Sequence, residues 1–222
     1  MTLPAFLRQS LFIAGTDTGV GKTWVAVRLL QALGREGLRT APMKPVAAGA
    51  DFSAGSLRND DALALMSAAS VPLPYELVNP CCFPAATSPH IAASRHGKSI
   101  DLDAIRQAFS QIGAKSDVII VEGAGGWFAP IADPVTHGTP GLTMEDVAVA
   151  LGLPVLLVVG LKLGCISHAL LSADAIRRAG LPLAGWVGNP VDPDFPDQAE
   201  YLQSLERRLP APRWMIPAQA TG

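Results

Sequence analysis

Gly19-Val20-Gly21-Lys22-Thr23 closes a glycine-rich loop that follows the apolar run Leu11–Ala14. Val25, Ala26, Leu29, Leu30 and Leu33 then recur at helical spacing, so the loop joins a buried strand to a helix starting at Thr23. Backbone N–H groups in such a loop and at the helix start converge on phosphate oxygens. Lys22 then reaches the outer phosphates of a nucleotide, and the Thr23 hydroxyl is placed to ligate Mg²⁺. The spacing departs from the usual GxxxxGK[ST], because Gly15 precedes Gly21 by six positions and Thr16 stands at the place of the first glycine. A glycine-rich stretch alone is often only a turn. The strand before it, the helix after it and Gly-Lys-Thr at the junction together point to nucleotide binding.

Four further segments carry candidate chemistry. Lys44, in Met43-Lys-Pro-Val46, follows a short strand candidate. A lysine there is ordinarily a solvated loop charge, but beside a phosphate loop it could neutralise a transferring phosphoryl group or hold an anionic substrate. In Arg58-Asn-Asp-Asp61, ahead of an Ala/Leu helix, an acid can meet the helix dipole or serve a metal, and Asp60 and Asp61 could divide those roles. The β-branched run of Asp117-Val-Ile-Ile-Val-Glu122 ends in an acid as a Walker B strand does: Glu122 is either a solvated acid at a strand end or, beside Thr23, part of the Mg²⁺ shell directly or through water. Gly123, Gly125 and Gly126 allow a close backbone approach or a tight turn. Val159-Gly-Leu-Lys-Leu-Gly-Cys-Ile-Ser-His168 is either a plain strand-to-helix connection with Ser167 as N-cap or a carboxylate site at a helix start. Cys165 within it reads as a small buried residue rather than a nucleophile.

These segments need a scaffold that brings loop ends together. Apolar runs at Leu11–Ala14, Val118–Val121, Val155–Val159 and Leu183–Val187, with a shorter one at Thr40–Met43, alternate with helical patterns at about 23–33, 60–69, 102–112, 143–151, 167–179 and 197–208. That alternation predicts an α/β fold, a doubly wound, mostly parallel sheet with helices on both faces, of the P-loop NTPase kind. Ligands then sit beyond the carboxyl ends of the strands. The proline-rich stretch 71–90 reads as an irregular excursion within a single domain spanning 1–222.

Composition narrows the function classes. With 49% hydrophobic and 16% charged residues, the chain suits a sheet buried on both faces. A net charge of −2 offers no basic field for nucleic acid or an anionic membrane. Cys81 and Cys82 are adjacent and Cys165 is left over, which suits a reducing cytoplasm better than a disulfide framework. His90, His96, His137 and His168 lack zinc-ligand spacing with them. Neither a signal peptide nor a membrane-spanning apolar run is expected.

Over nearly its whole length the chain resembles the dethiobiotin synthetase family. The likeness is carried by Gly15-Thr-Asp-Thr-Gly-Val-Gly-Lys-Thr23, Lys44-Pro-Val46, Leu57-Arg-Asn-Asp-Asp-Ala-Leu-Ala-Leu65, Thr87-Ser-Pro-His-Ile91, Val121-Glu-Gly-Ala-Gly-Gly-Trp127, Val158-Val-Gly-Leu-Lys-Leu-Gly-Cys-Ile166 and Ala184-Gly-Trp-Val-Gly-Asn189, in that order. The resemblance implies a cytoplasmic homodimer that forms dethiobiotin from 7,8-diaminononanoate, CO₂ and ATP with Mg²⁺. It assigns the ATP loop to Gly19, Val20, Gly21, Lys22, Thr23 and Trp24, and the metal environment to Thr23, Asp61 and Glu122. Lys44 and Lys22 are catalytic in that reading, with Thr18 near the substrate nitrogens. Gly123, Ala124 and Gly125 border the nucleotide, and Asn189, Pro190 and the segment Pro217, Ala218 and Gln219 lie on the adenine side. Ala48 matches a substrate-contact position where serine is common, and its side chain cannot hydrogen-bond. Gly19 stands where some members carry an acid, and Ser167 where asparagine is familiar. Gly164, Cys165, Ile166, Ser167 and Tyr201 match positions that reach across the dimer to the substrate carboxylate.

Two other classes share parts of this pattern. A partition or septum-positioning ATPase carries an additional lysine early in the loop, where this chain has Asp17, and a terminal amphipathic helix. A cobyrinic-acid-synthetase-like amidoligase needs a glutaminase domain with a nucleophilic cysteine. Lys22 and Lys44 are expected at the surface, so that replacing either leaves the protein folded.

Overall fold

The apolar runs become strands because each presents alternate residues to two separate cores. The computed structural model describes residues 3–53, 55–134 and 141–216. In chain order these form β1 (Leu11–Gly15), α1 (Lys22–Arg35), β2 (Thr40–Met43), β3 (Val46–Ala48), β4 (Asp51–Ser53), β5 (Ser56–Arg58), α2 (Asp60–Ala68), α3 (Tyr75–Val78), β6 (Cys81–Phe83), α4 (Pro89–Arg95), α5 (Leu102–Gly113), β7 (Val118–Glu122), α6 (Met144–Leu151), β8 (Val155–Leu161), α7 (Cys165–Arg178), β9 (Leu183–Pro190) and α8 (Gln198–Arg208). The main sheet is parallel throughout, in the order β2-β7-β1-β8-β9.

Leu11, Ile13, Ile120, Leu156 and Val158 face a core completed by Val25, Leu29, Leu30 and Leu33 of α1. Phe12, Val121, Leu157 and Val159 face the other core, filled by Ile105 and Ile112 of α5, Val147 of α6 and Ala173 and Ile176 of α7. Helices therefore cover both faces, as the alternation of runs predicts. The strand order places β1 between β7 and β8, so the glycine-rich loop leaves the middle of the sheet. β2 and β7 pair from Thr40↔Val118 to Met43↔Val121. That register sets Lys44 beside Glu122 at the carboxyl ends and Arg39 beside Asp117 at the amino ends.

Several expectations need correction. The stretch 71–90 is not irregular: it contains α3, β6 and the start of α4, and β6 pairs in parallel with β3. Prolines hid this order because they flank these short elements rather than interrupt them. α7 begins at Cys165, and its N-cap is Gly164 at φ +90°, not Ser167; glycine supplies the left-handed turn that a side chain would resist. Asp60 and Asp61 do lie in the first turn of α2, where an acid meets the dipole, but the cap itself is Asn59, whose side chain accepts from the Ala62 N–H at 3.3 Å. Among the described residues, no helix is long and apolar enough to cross a membrane.

Candidate active site

A cavity of about 710 Å³ opens at the carboxyl ends of β1, β2 and β7. Thr18, Gly19, Gly21, Lys22 and Thr23 form one wall, Lys44, Ala47 and Ala48 a second, and Asn59 and Asp61 a third. The turn Ala86–Pro89 and the segment Glu122, Ala124, Gly125 and Gly126 close it. Its size is in the usual range for small-molecule sites. Its position is that expected for an open parallel sheet.

Lys44 stands at the centre of the charges. Its Nζ donates to Glu122 Oε1 at 2.6 Å and to Asp61 Oδ2 at 3.1 Å. Thr23 Oγ1 donates to the same Glu122 oxygen at 2.9 Å, while Lys22 Nζ donates to the Asp17 carbonyl at 2.9 Å. Lys44 and Lys22 are only 4% and 7% exposed, and Glu122 only 1%. The expectation of surface lysines is thus overturned, because the second strand is short and ends inside the cavity wall rather than at the rim.

Burial alone pushes the Lys44 ammonium down, but the Glu122 and Asp61 carboxylates outweigh it and hold Lys44 above the ordinary lysine range. Burial likewise pushes Asp61 up, and the Lys44 charge, the Thr23 hydroxyl and Lys22 together hold its carboxyl below the usual range. For Lys22 the Glu122, Asp61 and Asp17 charges pull upward but are outweighed. Burial, then the neighbouring Lys44 charge, push it down to about 8. The site therefore sets two buried lysines against two carboxylates.

Glu122 Oε2 is buried and has no hydrogen-bond partner among the described residues. A buried carboxylate oxygen left unmatched costs free energy unless something cationic or donating meets it. With the Thr23 hydroxyl and Asp61 close by, this donor set fits Mg²⁺, which takes one or two carboxylates and completes its shell with water and phosphate oxygens.

Not every expected residue reaches the cavity. Val20 turns into the core between β1 and β8, and Gly123 lies under the sheet end, where an added Cβ would press on the Phe12 ring at 3.0 Å. Trp24 is exposed on the first turn of α1. Asn189 caps the loop from outside: its Nδ2 donates to the Val20 carbonyl at 2.9 Å and lies so near Gly21 that no side chain fits there. Pro190 is exposed at the end of β9. Gly164 and Ser167 are exposed, Cys165 is buried, and Ile166 and Tyr201 pack against the core; none lines the cavity. Pro217, Ala218, Gln219 and His137 lie outside the described residues.

Other contributors are not apparent from motif spacing. Lys162 Nζ pairs with Asp17 Oδ2 at 3.1 Å, tying the β8–α7 turn to the phosphate loop. Ser88 lines the cavity, with its hydroxyl 3.0 Å from His90 Nδ1. Tyr75 and Asn79 stand behind Lys44, and the only trace of them in the chain is their spacing of four residues in the proline-rich stretch.

Known proteins resemble this chain in sequence and in fold. A family model described as an AAA domain matches residues 9–213. An ATP-dependent dethiobiotin synthetase BioD of Yersinia pestis bv. Antiqua (strain Angola) is 51% identical over 201 residues, covering 90% of this chain and 81% of the relative. The ATP-dependent dethiobiotin synthetase BioD 1 of Escherichia coli O157:H7 is 47% identical over 206 residues, covering 93% and 88%. Among solved structures, the signal recognition particle receptor FtsY of Elizabethkingia anophelis in complex with GDP superposes with a TM-score of 0.55 at 16% identity, over 95% of this chain and 57% of that one. That last likeness supports the fold alone. Identity of this degree over nine-tenths of the chain settles the family: the chain belongs to the ATP-dependent dethiobiotin synthetases.

Proposed function

We propose that this chain, working as a single domain, makes dethiobiotin from 7,8-diaminononanoate, CO₂ and ATP. The observation that carries the proposal is the meeting, in one cavity, of the phosphate loop with two buried lysines and two carboxylates. Lys22 belongs to the polyphosphate, and Lys44, on the opposite wall, to the carbamate and the γ-phosphate it attacks.

The dry surroundings of the two lysines help from the first step. The burial that, with the Lys44 charge, pushes Lys22 down to about 8 also disfavours protonation of a substrate amine beside it. The neutral amine adds to CO₂, and the resulting carbamate anion is held by Lys44. A carbamate oxygen then attacks the γ-phosphorus in line and ADP leaves, with Lys22 and Lys44 compensating charge that develops in the transition state. The second amine adds to the carbamate carbon, and phosphate departs as the five-membered ring closes, a step favoured by proximity. Thr23, Asp61 and Glu122 would hold Mg²⁺, which when bound neutralises phosphate charge. Thr18 at the cavity wall is assigned to the substrate nitrogens, and Ala48 contributes surface without a hydrogen bond.

We further infer a cytoplasmic homodimer. Gly164 and Ser167 are exposed outside the cavity, between the solvent-facing Leu163 and Leu171, as a segment serving a neighbouring subunit's site would be. A monomeric form with full turnover would remove this inference.

The proposal is tested by following ADP and dethiobiotin together. ADP release should require the diamine and CO₂ jointly, at one ADP per product. Steady ATP hydrolysis without the diamine would point instead to a switch ATPase.

A further inference from the structure

Behind Lys44 the cavity wall includes a buried polar bridge beside the small cluster of Ala62, Tyr75 and Val78. A second cavity of about 370 Å³ lies on its far side, lined by Arg58, Tyr75, Asn79 and Cys82 among others. The partition between the two cavities is a chain of short hydrogen bonds. The Asn59 N–H donates to the Tyr75 hydroxyl at 2.7 Å, Tyr75 donates to Asn79 Oδ1 at 2.8 Å, and Asn79 Nδ2 donates to the Lys44 carbonyl at 2.7 Å. The Lys44 N–H donates to the Val78 carbonyl at 2.8 Å, so this residue is held at both backbone groups. At the other end of the chain, Asn59 caps α2, which carries Asp61 to Lys44 Nζ. The bonds thus close a ring that fixes the lysine's backbone and its carboxylate partner together.

We propose that Tyr75 and Asn79 are positioning residues: the Asn59–Tyr75–Asn79 bridge sets the place of the Lys44 ammonium opposite the phosphate loop. Both backbone groups of Lys44 are held by hydrogen bonds to the 75–79 segment, so a change in those bonds shifts the base from which its side chain reaches the site. Each link is buried and therefore costly to leave unmade. Burial pushes the Tyr75 hydroxyl upward, which keeps it protonated as the donor that Asn79 needs. The Arg58 guanidinium, 4.0 Å over the Tyr75 ring, holds the ring from the second cavity.

The inference rests on the reading of Lys44 as a catalytic group, and a double-mutant cycle separates the two. Tyr75→Phe and, independently, Asn79→Ser are made in the natural chain and in Lys44→Ala, with dethiobiotin and ADP measured per folded molecule. In the natural chain each should lower kcat about tenfold, a moderate loss for misplaced charge compensation, with KM for ATP within about twofold because Lys22 and Thr23 are outside the bridge. In Lys44→Ala the same changes should alter kcat by less than about twofold, since nothing remains for the bridge to place. Equal losses in both backgrounds would make Tyr75 and Asn79 merely structural and overturn the inference. Unchanged kcat in the natural chain would also overturn it. If Lys44→Ala alone keeps full turnover, the reading of Lys44 falls, and the inference with it. Should Tyr75→Phe fail to fold, Asn79→Ser decides by the same comparison.

Discussion

β2 and β7 carry an ion pair at each end, at matched positions of one register, and the two pairs live in different surroundings. Before the strands, the Arg39 guanidinium grips Asp117 at 2.7 and 3.1 Å, and both side chains stand in solvent. After them, Lys44 meets Glu122 at 2.6 Å with both side chains almost wholly buried. Water and salt screen the first pair, so its net worth is small however good its geometry. The second pair had to be stripped of water, and its mutual attraction must offset that cost. The lesson is that these strands place charge equally well at either end, but only the end facing the cavity supplies an environment in which charge can act on a substrate.

Breaking the buried pair should have the largest effect. Lys44→Met should lower turnover by at least ~10²-fold, within the range for loss of a preorganised electrostatic group. It should also destabilise the fold by about 3 kcal/mol, because Glu122 is left buried and uncompensated. Adding Glu122→Leu should recover most of the stability and none of the turnover, since replacing both partners removes the stranded charge. Denaturant unfolding and product assays on the same preparations check both statements. A Lys44→Met protein that is as stable as the parent would mean that the pair is better solvated than its burial indicates.

A smaller effect is expected at Thr23. Thr23→Val keeps the shape and removes the hydroxyl that donates to Glu122 Oε1. Turnover should fall about tenfold or more, and raised Mg²⁺ should recover part of it if the hydroxyl belongs to the metal environment. A loss indifferent to Mg²⁺ would confine Thr23 to its bond with Glu122.

The exposed pair gives the smallest effect and sharpens the contrast. The Arg39 hydrogen bonds hold the Asp117 carboxyl below its ordinary value. The group binds a proton less readily folded than unfolded, so its contribution is present above the unfolded value near 3.8 and is lost as pH falls through the folded one. Arg39→Ala should therefore leave turnover unchanged and lower the neutral-pH unfolding midpoint only slightly, a difference from the parent that closes as pH falls through the acid range. A marked fall in turnover would show that the amino ends of these strands are coupled to the site.

Much of this contrast was legible in the chain. Buried parallel strands are continuous apolar runs, and Lys22, Thr23, Lys44 and Glu122 follow or end one, so the strand-end rule gathers them, whereas Asp61 stood out only as an acid at a helix start. What escaped was tertiary in origin. Lys44 is bonded to Asp61, Glu122, Val78 and Asn79, and the elements around it, β3, α3 and β6, are of three or four residues, too short to show a period. The caps at Asn59 and Gly164 turned on one residue's dihedral angles, which the neighbouring acids and Ser167 masked. Tyr75 and Asn79 make bonds across the fold to Asn59 and Lys44, and nothing local marks such partners.

The central claim is that Lys44 and Lys22 compensate charge while a carbamate oxygen, derived from CO₂, attacks the γ-phosphorus. Turnover of the diamine with ATP and ¹⁸O-labelled CO₂, fast enough to outrun exchange with water, tests it directly. Carbamate attack followed by ring closure leaves one CO₂-derived oxygen in each phosphate released and another in the ureido carbonyl. Mass analysis should therefore find singly labelled phosphate in step with labelled dethiobiotin. Phosphate that carries label only when the water is labelled would mean that water attacks ATP, and would contradict the account.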